Sequence, residues 1–309
     1  MSETVENKKV LVTGADGFIG SHLVEKLVAE GAEVRALVYY NSWNEIGWLK
    51  DIPKSVLSKV EVVRGDIRDS DHMRDLVRGC EYVMHLSSLI AIPYSYHAQR
   101  SYVDTNVTGA LNILQACRES DSLTRLVHVS TSEVYGSAQQ VPISESHPLV
   151  GQSPYSATKI AADKLAESYY LSFGLPVVTA RPFNTFGPRQ TARAVIPTIA
   201  WQLLSGVDKL TLGSLTPTRD FNLASDTSRG ILALALCPEA VGEVVNIGSG
   251  EEWSIGNVAE MLMEITGMNV EIETDKERVR PDKSEVNRLL ADNSKILRLT
   301  GWKSQVPFE

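Results

Sequence analysis

The feature that most restricts this chain is a glycine turn near its start. Lys9–Thr13 is a short β-branched run with strand character, and it leads directly into Gly14-Ala15-Asp16-Gly17-Phe18-Ile19-Gly20. From residue 21 to 30 the pattern becomes helical, with Leu23, Leu27 and Val28 on one face. Glycines at such a junction permit a tight turn and let the backbone approach a pyrophosphate closely. The helix N-terminus then offers N–H donors and positive dipole charge. Gly14, Asp16, Gly17, Phe18 and Ile19 are therefore candidate cofactor contacts.

The rest of the chain repeats the same alternation. Strand-like runs recur at residues 34–38, 60–64, 82–86, 126–130 and 177–180, with helical patterns at 105–118 and 155–173. Strands alternating with helices argue for a parallel sheet covered on both faces, and right-handed crossovers leave a doubly wound sheet as the leading topology. After residue 181 the pattern changes: Gly, Pro and aromatic residues cluster, then helices at Val195–Leu204 and 255–265 mix with strands at Lys209–Leu212, Val244–Ile247 and 270–273. At 309 residues, two domains are expected. The reading is an α/β fold: a Rossmann-type doubly wound domain over 1–180, using parts of 222–250, and a smaller mixed α/β substrate domain over 181–309.

Composition narrows the function classes. With 30 Lys and Arg against 38 Asp and Glu, the net charge is −8, and there is no basic stripe for nucleic acid. Cys80, Cys117 and Cys237 match no metal spacing, so no metal is expected; sparse cysteines suit a reducing compartment. No apolar run approaches the ~18 residues that a membrane span needs. The polar, acidic start lacks the apolar core of a secretory signal, so a cytoplasmic protein is expected.

Two further patterns carry chemistry. Tyr155 and Lys159 are four apart on a helical stretch and share a face. An ammonium beside a phenol favours phenolate, which makes Tyr155 a candidate general base. The strand at 126–130 runs into Thr131-Ser132-Glu133, and in extended backbone Thr131 and Glu133 point the same way. A carboxylate at the active end of a central strand is costly unless solvated or used.

These residues resemble the extended short-chain dehydrogenase/reductase family. Its TGxxGFIG pattern is present as Thr13–Gly20 and its YxxxK pair as Tyr155 and Lys159. Asp66-Ile67 resembles the element that meets adenine, Leu86-Ser87-Ser88 the end of the fourth strand, and Asn106 the family's N-x-x-G asparagine. The resemblance implies a bound nicotinamide dinucleotide, a nucleotide-sugar substrate and a homodimer built on the helices at 105–118 and 155–173. One departure concerns the ribose. The general rule expects an acid about 20 residues beyond the glycines, but the second strand ends Val38-Tyr39-Tyr40-Asn41. Tyr39 lies at that end, and Asn41 or Ser42 is left to bond the ribose hydroxyls. NAD is expected and NADP stays open.

The Thr-Ser-Glu triplet is similar to that of the sugar-nucleotide 4,6-dehydratases, whereas epimerases of the family carry small or apolar residues at the Glu133 position. The resemblance implies proton transfers by Tyr155 and Glu133, with Thr131 orienting the sugar oxygen and Ser132 in place of a separate acid. Ser88 and Tyr94 would border the sugar. Asn184, Arg219 and Arg280 match positions that contact the diphosphate or nucleoside, and Arg189 and Arg193 follow Asn184. Residues 88–97 and 39–42 resemble a bacterial subgroup of configuration-retaining UDP-N-acetylglucosamine 4,6-dehydratases linked to legionaminic acid. UDP-glucuronate decarboxylase and 4-epimerase are the alternatives, and a non-catalytic dinucleotide sensor ranks last. The family's usual closing helix is expected beyond Glu309.

Overall fold

β1 (Lys9–Thr13) forms where the β-branched run predicts it, with its last four residues buried. It stops at Gly14, whose φ of +67° disfavours any side chain. A Cβ there would sit 2.9 Å from the Ser87 amide nitrogen, so the turn lies directly against the loop after the fourth strand. α1 (Phe18–Ala29) begins at once and buries Leu23, Val24 and Leu27. A Cβ on Gly20 would lie 2.1 Å from the Gly14 carbonyl oxygen; this glycine lets α1 approach the turn. The computed structural model describes residues 3–275 and 285–309.

β2 (Glu33–Tyr39), the single-turn α2 (Lys54–Leu57), β3 (Glu61–Gly65) and α3 (Ser70–Val77) complete the first half. The Asp69 carboxylate caps α3, accepting from the amides of Asp71 and His72. β4 (Tyr82–His85) is followed by two short helices, α4 (Ile92–Ser95) and α5 (Gln99–Tyr102). The helix expected over 105–118 divides in two: Val103–Thr108 is wound as a π-helix, and only Gly109–Arg118, α6, is α-helical. β5 (Arg125–Val129) precedes α7 (Pro154–Phe173), which opens with a reciprocal Ser153–Ser156 capping box and ends at left-handed Gly174. β6 (Val177–Pro182) follows.

Beyond β6 come β7 (Asn184–Phe186), α8 (Val195–Leu204), β8 (Lys209–Leu212), β9 (Thr218–Arg219), β10 (Phe221–Leu223) and α9 (Ala224–Ala235). Then follow β11 (Val244–Ile247), β12 (Trp253–Ser254), α10 (Ile255–Thr266), β13 (Glu271–Thr274), β14 (Arg288–Leu289) and α11 (Ser294–Thr300).

Seven strands form one parallel sheet in the order β11-β6-β5-β4-β1-β2-β3. The order reverses between β1 and β4, which is where a doubly wound sheet opens a crevice at its carboxyl ends. Register brings those ends level: Thr13 pairs with His85, His85 with His128, and His128 with Thr179. Two apolar layers cover the sheet. One holds Leu23, Val24, Leu27, Ile231 and Leu234; the other Ile113, Leu114, Ala166 and Tyr169. β11 lies beside β6 in the main sheet and α9 packs on α1, so this late segment belongs physically to the first layer. The remaining strands form small separate sheets, β7 with β10, β8 with β13, and β9 between β12 and β14. A separate apolar cluster there includes Ile199, Leu203, Leu210 and Phe221. Among the described residues, no helix is long and apolar enough to cross a membrane.

Gly20→Ala should force the turn and α1 apart. Overpacking of this kind costs about 1–3 kcal/mol, expected as a lower urea midpoint with an unchanged m-value; a midpoint equal to that of the parent would refute the close-packing account.

Candidate active site

The carboxyl ends of β1 and β4 are stitched by one threonine. The Thr13 hydroxyl accepts from the Leu86 and Ser87 amides, both at 3.1 Å, and lies 2.9 Å from His85 Nδ1. With two N–H donors already on it, its own hydrogen goes to His85. This holds Leu86, Ser87 and Ser88 beside the glycine turn. Gly17 caps α1 in an extended conformation without a side-chain cap. Backbone N–H groups at an uncapped helix start suit a pyrophosphate, so the donor set fits the dinucleotide that the sequence implies. Phe18 and Ile19 form the first turn of α1.

Other residues expected at the cofactor also make contacts within the protein. Asn106 is 3% exposed; its amide accepts from Leu89 N at 2.8 Å and donates to Leu89 O and to Thr158 Oγ1. It thereby fastens the loop after β4 to α7. Ile67 is buried against Gly109, where a Cβ would come within 2.8 Å of it. Asp66 accepts both Nε and Nη2 of Arg68. At the end of β2, Tyr39 and Tyr40 are exposed, and Asn41 is consumed by its own loop, bonding Tyr39 O and both ends of the Glu45 peptide. Asp16 reaches this point from the glycine turn and accepts from Tyr39 N at 3.1 Å. Burial raises its carboxyl above the ordinary value, against the pull of that hydrogen bond.

The proton-transfer groups meet beyond β5. The extended geometry expected through Thr131 and Glu133 does not continue: Thr131 is extended, but Ser132–Tyr135 turns into a 3₁₀ helix. The Thr131 hydroxyl caps that turn by accepting from Glu133 N at 3.2 Å. Facing comes instead from the turn itself. Tyr155, in the first turn of α7, is within hydrogen-bonding reach of Thr131 and feels the Glu133 charge. Ser132 is buried and Glu133 half-buried. Tyr102 packs edge-on against Tyr155, and Tyr94 lies beyond Tyr102.

The ionisation of Tyr155 differs from the expectation based on spacing. Burial pushes its phenol up, Glu133 adds to that push, and the Thr131 hydrogen bond opposes it. Lys159 is buried too. Its ammonium donates to Val129 O at 2.8 Å, and burial brings its pKa down from 10.5 to about 8, with Asp163 pulling the other way. Desolvation therefore outweighs the pairwise attraction that i, i+4 spacing suggests.

Behind Lys159 lies a polar network that reading the sequence missed. Asp163 Oδ2 accepts Nε and Nη2 of Arg181 at 3.0 and 2.9 Å, and Oδ1 lies 3.3 Å from His128 Nε2. All three residues are at most 3% exposed. Arg181 also donates to the Tyr135 hydroxyl, which donates to Asn246 on β11. Burial works to raise the Asp163 carboxyl, but His128 and Arg181 hold it below the usual range. The available sequence signal was an acid four residues after Lys159, on the same helical face.

The substrate-side predictions scatter. Asn184 starts β7, and its side-chain oxygen is buried without a partner among the described residues. Arg193 is exposed and close enough to influence Tyr102. Arg219 is buried, donating to Thr218 O and paired with Glu285. Arg189 turns to α1 and engages Glu25 and His22. Arg280 lies outside the described residues. Asp220 was not anticipated: its carboxylate gathers Ser249, Gly250 and Ala291 and so positions the loop beside β10.

Comparison with known proteins places the whole chain in a family. Residues 11–309 match the family model described as GDP-mannose 4,6 dehydratase. A dTDP-glucose 4,6-dehydratase of Actinoplanes is 34% identical over 308 residues, covering 97% of this chain and 94% of the relative. The structure of a dTDP-glucose 4,6-dehydratase from Streptomyces venezuelae with NAD bound superposes with a TM-score of 0.84 at 31% identity, over 97% of this chain and 93% of that one. A UDP-glucuronic acid 4-epimerase from Bacillus cereus, in complex with UDP-glucuronic acid and NAD, gives 0.86 at 29% identity, over 97% and 95%. The chain belongs to the GDP-mannose 4,6-dehydratase family.

The low Lys159 pKa sets a pH signature. A lysine that titrates at about 8 when folded and 10.5 when unfolded binds fewer protons in the native state between those values, so stability rises with pH across that window. Lys159→Met should melt a few degrees higher than the parent at pH 7, with the advantage shrinking between pH 8 and 10.5, while turnover is lost. A melting difference that does not change with pH would contradict the buried ammonium.

Proposed function

We propose that this member of the GDP-mannose 4,6-dehydratase family is an NAD-dependent sugar-nucleotide 4,6-dehydratase, with UDP-N-acetylglucosamine as its favoured substrate. The observation that carries the reading is the convergence of Thr131, Glu133 and Tyr155 where β5 ends. A carboxylate beside the tyrosine gives the site a second proton-transfer group, which oxidation at C4 alone does not require. The preference for an N-acetylated sugar rests on the likeness of residues 88–97 and 39–42.

Gly14, Gly17, Phe18, Ile19, Leu86, Ser87 and Ser88 would hold the dinucleotide. When bound, it supplies the hydride acceptor for C4, the donor for C6 and a positive charge that eases deprotonation of Tyr155. Tyr155, as phenolate, takes the proton of the C4 hydroxyl and becomes the neutral phenol, and the Lys159 ammonium behind it favours the phenolate before the transfer. Thr131 orients the C4 oxygen. The C4 ketone acidifies C5–H, and Glu133 removes that proton. The electron pair forms the C5=C6 bond as hydroxide leaves C6, protonated by the Glu133 carboxyl. Hydride addition at C6 and protonation at C5 by a solvent-derived proton, relayed through Glu133, would then give the 4-keto-6-deoxy product. Ser132 lacks an acidic proton for the departing hydroxyl, so Glu133 serves both transfers. Asn184, with its buried unpartnered oxygen, and Arg193 and Arg219 are proposed to meet the nucleoside diphosphate, whose oxygens suit guanidinium donors.

The proposal includes a homodimer in the cytoplasm. α6 and α7 pack side by side, with Leu171 and Phe173 exposed on the last turn of α7, and the three cysteines are free and buried.

Incubation with UDP-N-acetylglucosamine should give a product lighter by one water. An isomer of unchanged mass would favour a 4-epimerase, and carbon dioxide released from UDP-glucuronate would favour a decarboxylase. Tyr155→Phe should lower turnover about 10²–10⁴-fold, the usual worth of a general base. Glu133→Gln should retain C4 oxidation but lose exchange of C5–H with solvent deuterium; normal turnover by that variant would defeat the assignment.

A further inference from the structure

The strand acid that normally meets the cofactor ribose is missing here, yet a carboxylate stands at the same place. Asp16 comes from the glycine turn, not from β2. Its Oδ2 accepts the Tyr39 amide, the last residue of β2, at 3.1 Å. The surrounding loop is closed onto it. Trp48 N donates to Asp16 O at 3.0 Å, and Gly47, with φ of +55°, is so close that a Cβ would lie 2.8 Å from the Asp16 Cβ. Among the described residues no cation forms an ion pair with Asp16, and its carboxylate retains acceptor capacity beyond the Tyr39 bond. The neighbouring candidates are already engaged: Asn41 by its loop, and Asp66 by Arg68.

Two basic side chains stand close to the same end. Arg64 is the partner of Val38 in the β2–β3 register; it donates to Asn44 O at 3.3 Å, and its Nε is buried without a partner among the described residues. Arg68 lies near enough to Tyr39 to feel its charge and is held by Asp66. Such guanidiniums would suit a 2′-phosphate if nothing opposed it. We propose that Asp16 is the residue that selects NAD over NADP: its carboxylate, delivered to the end of β2 from the glycine turn, accepts from a ribose hydroxyl and repels a 2′-phosphate that Arg64 and Arg68 would otherwise attract. The inference rests on the reading of this site as one for a nicotinamide dinucleotide.

Purified protein is exchanged against excess NAD or NADP. Bound dinucleotide is quantified after acid release, and affinities are measured by calorimetry. The parent should bind NAD more tightly. Asp16→Asn keeps an oxygen for the Tyr39 amide but removes the charge, so the loop should stay closed. A lost charge-assisted hydrogen bond and relieved repulsion should shift the NAD-to-NADP affinity ratio by on the order of 10–100-fold, with NADP binding tightened in absolute terms. Adding Arg64→Ala to Asp16→Asn should take the gained NADP affinity away again. Equal weakening of both dinucleotides in Asp16→Asn would reduce Asp16 to a loop pin and overturn the proposal, as would an unchanged ratio. Failure of the parent to bind either dinucleotide would instead overturn the cofactor reading beneath it.

Discussion

The pairing of Asp163 with Arg181 is the constraint around which the site is arranged. Two opposite charges at most 3% exposed are expensive to desolvate, and they persist because each is paired: the carboxylate accepts Arg181 through Oδ2 and has His128 3.3 Å from Oδ1, and the guanidinium donates to Asp163 and Tyr135. The pair fastens α7 to β6 and, through Tyr135 and Asn246, to β11. Lys159 sits one helical turn before Asp163, so its ammonium enters an interior already holding a compensating carboxylate. A lysine in an apolar layer would otherwise be driven to its neutral form.

That interior also explains why the reacting groups gather on one side. The parallel register sets the ends of β1, β4 and β5 level, and Thr13 ties the loop after β4 to the glycine turn. Asn106 ties the same loop to α7. Tyr155 is thus fixed from two directions, by the helix that carries it and by the loops that flank it. The 3₁₀ turn at Ser132–Tyr135 is capped by the threonine that faces the tyrosine. One hydroxyl therefore shapes the backbone and meets the phenol. Rigid support of this kind is what holds reacting groups within productive reach.

Much of the fold was legible from local pattern. The β-branched runs marked six of the seven sheet strands to within a residue or two, and Val244–Ile247 was visible as a strand although its pairing with β6 was not. Two-residue strands such as β9 and β14 carry too few residues for any periodicity to register. The π-wound stretch before α6 was read as ordinary helix, because apolar spacing hardly distinguishes the two windings. At the site, the residue types at Thr131, Glu133, Tyr155 and Lys159 were evident, but the charge environment was not. Spacing predicted an ammonium that lowers the tyrosine pKa, whereas burial, a property of the whole fold, dominates both groups.

Sequence alone determined the glycine turn, the alternation that demands a parallel sheet, and the presence of a tyrosine, a lysine and a glutamate with complementary chemistry. These follow from steric and periodic rules acting over a few neighbouring residues. Tertiary structure decided what those residues meet. Arg189 turned to α1 and Asp16 to the end of β2, because contacts between segments far apart in the chain are set by packing and by the need to satisfy buried polar groups.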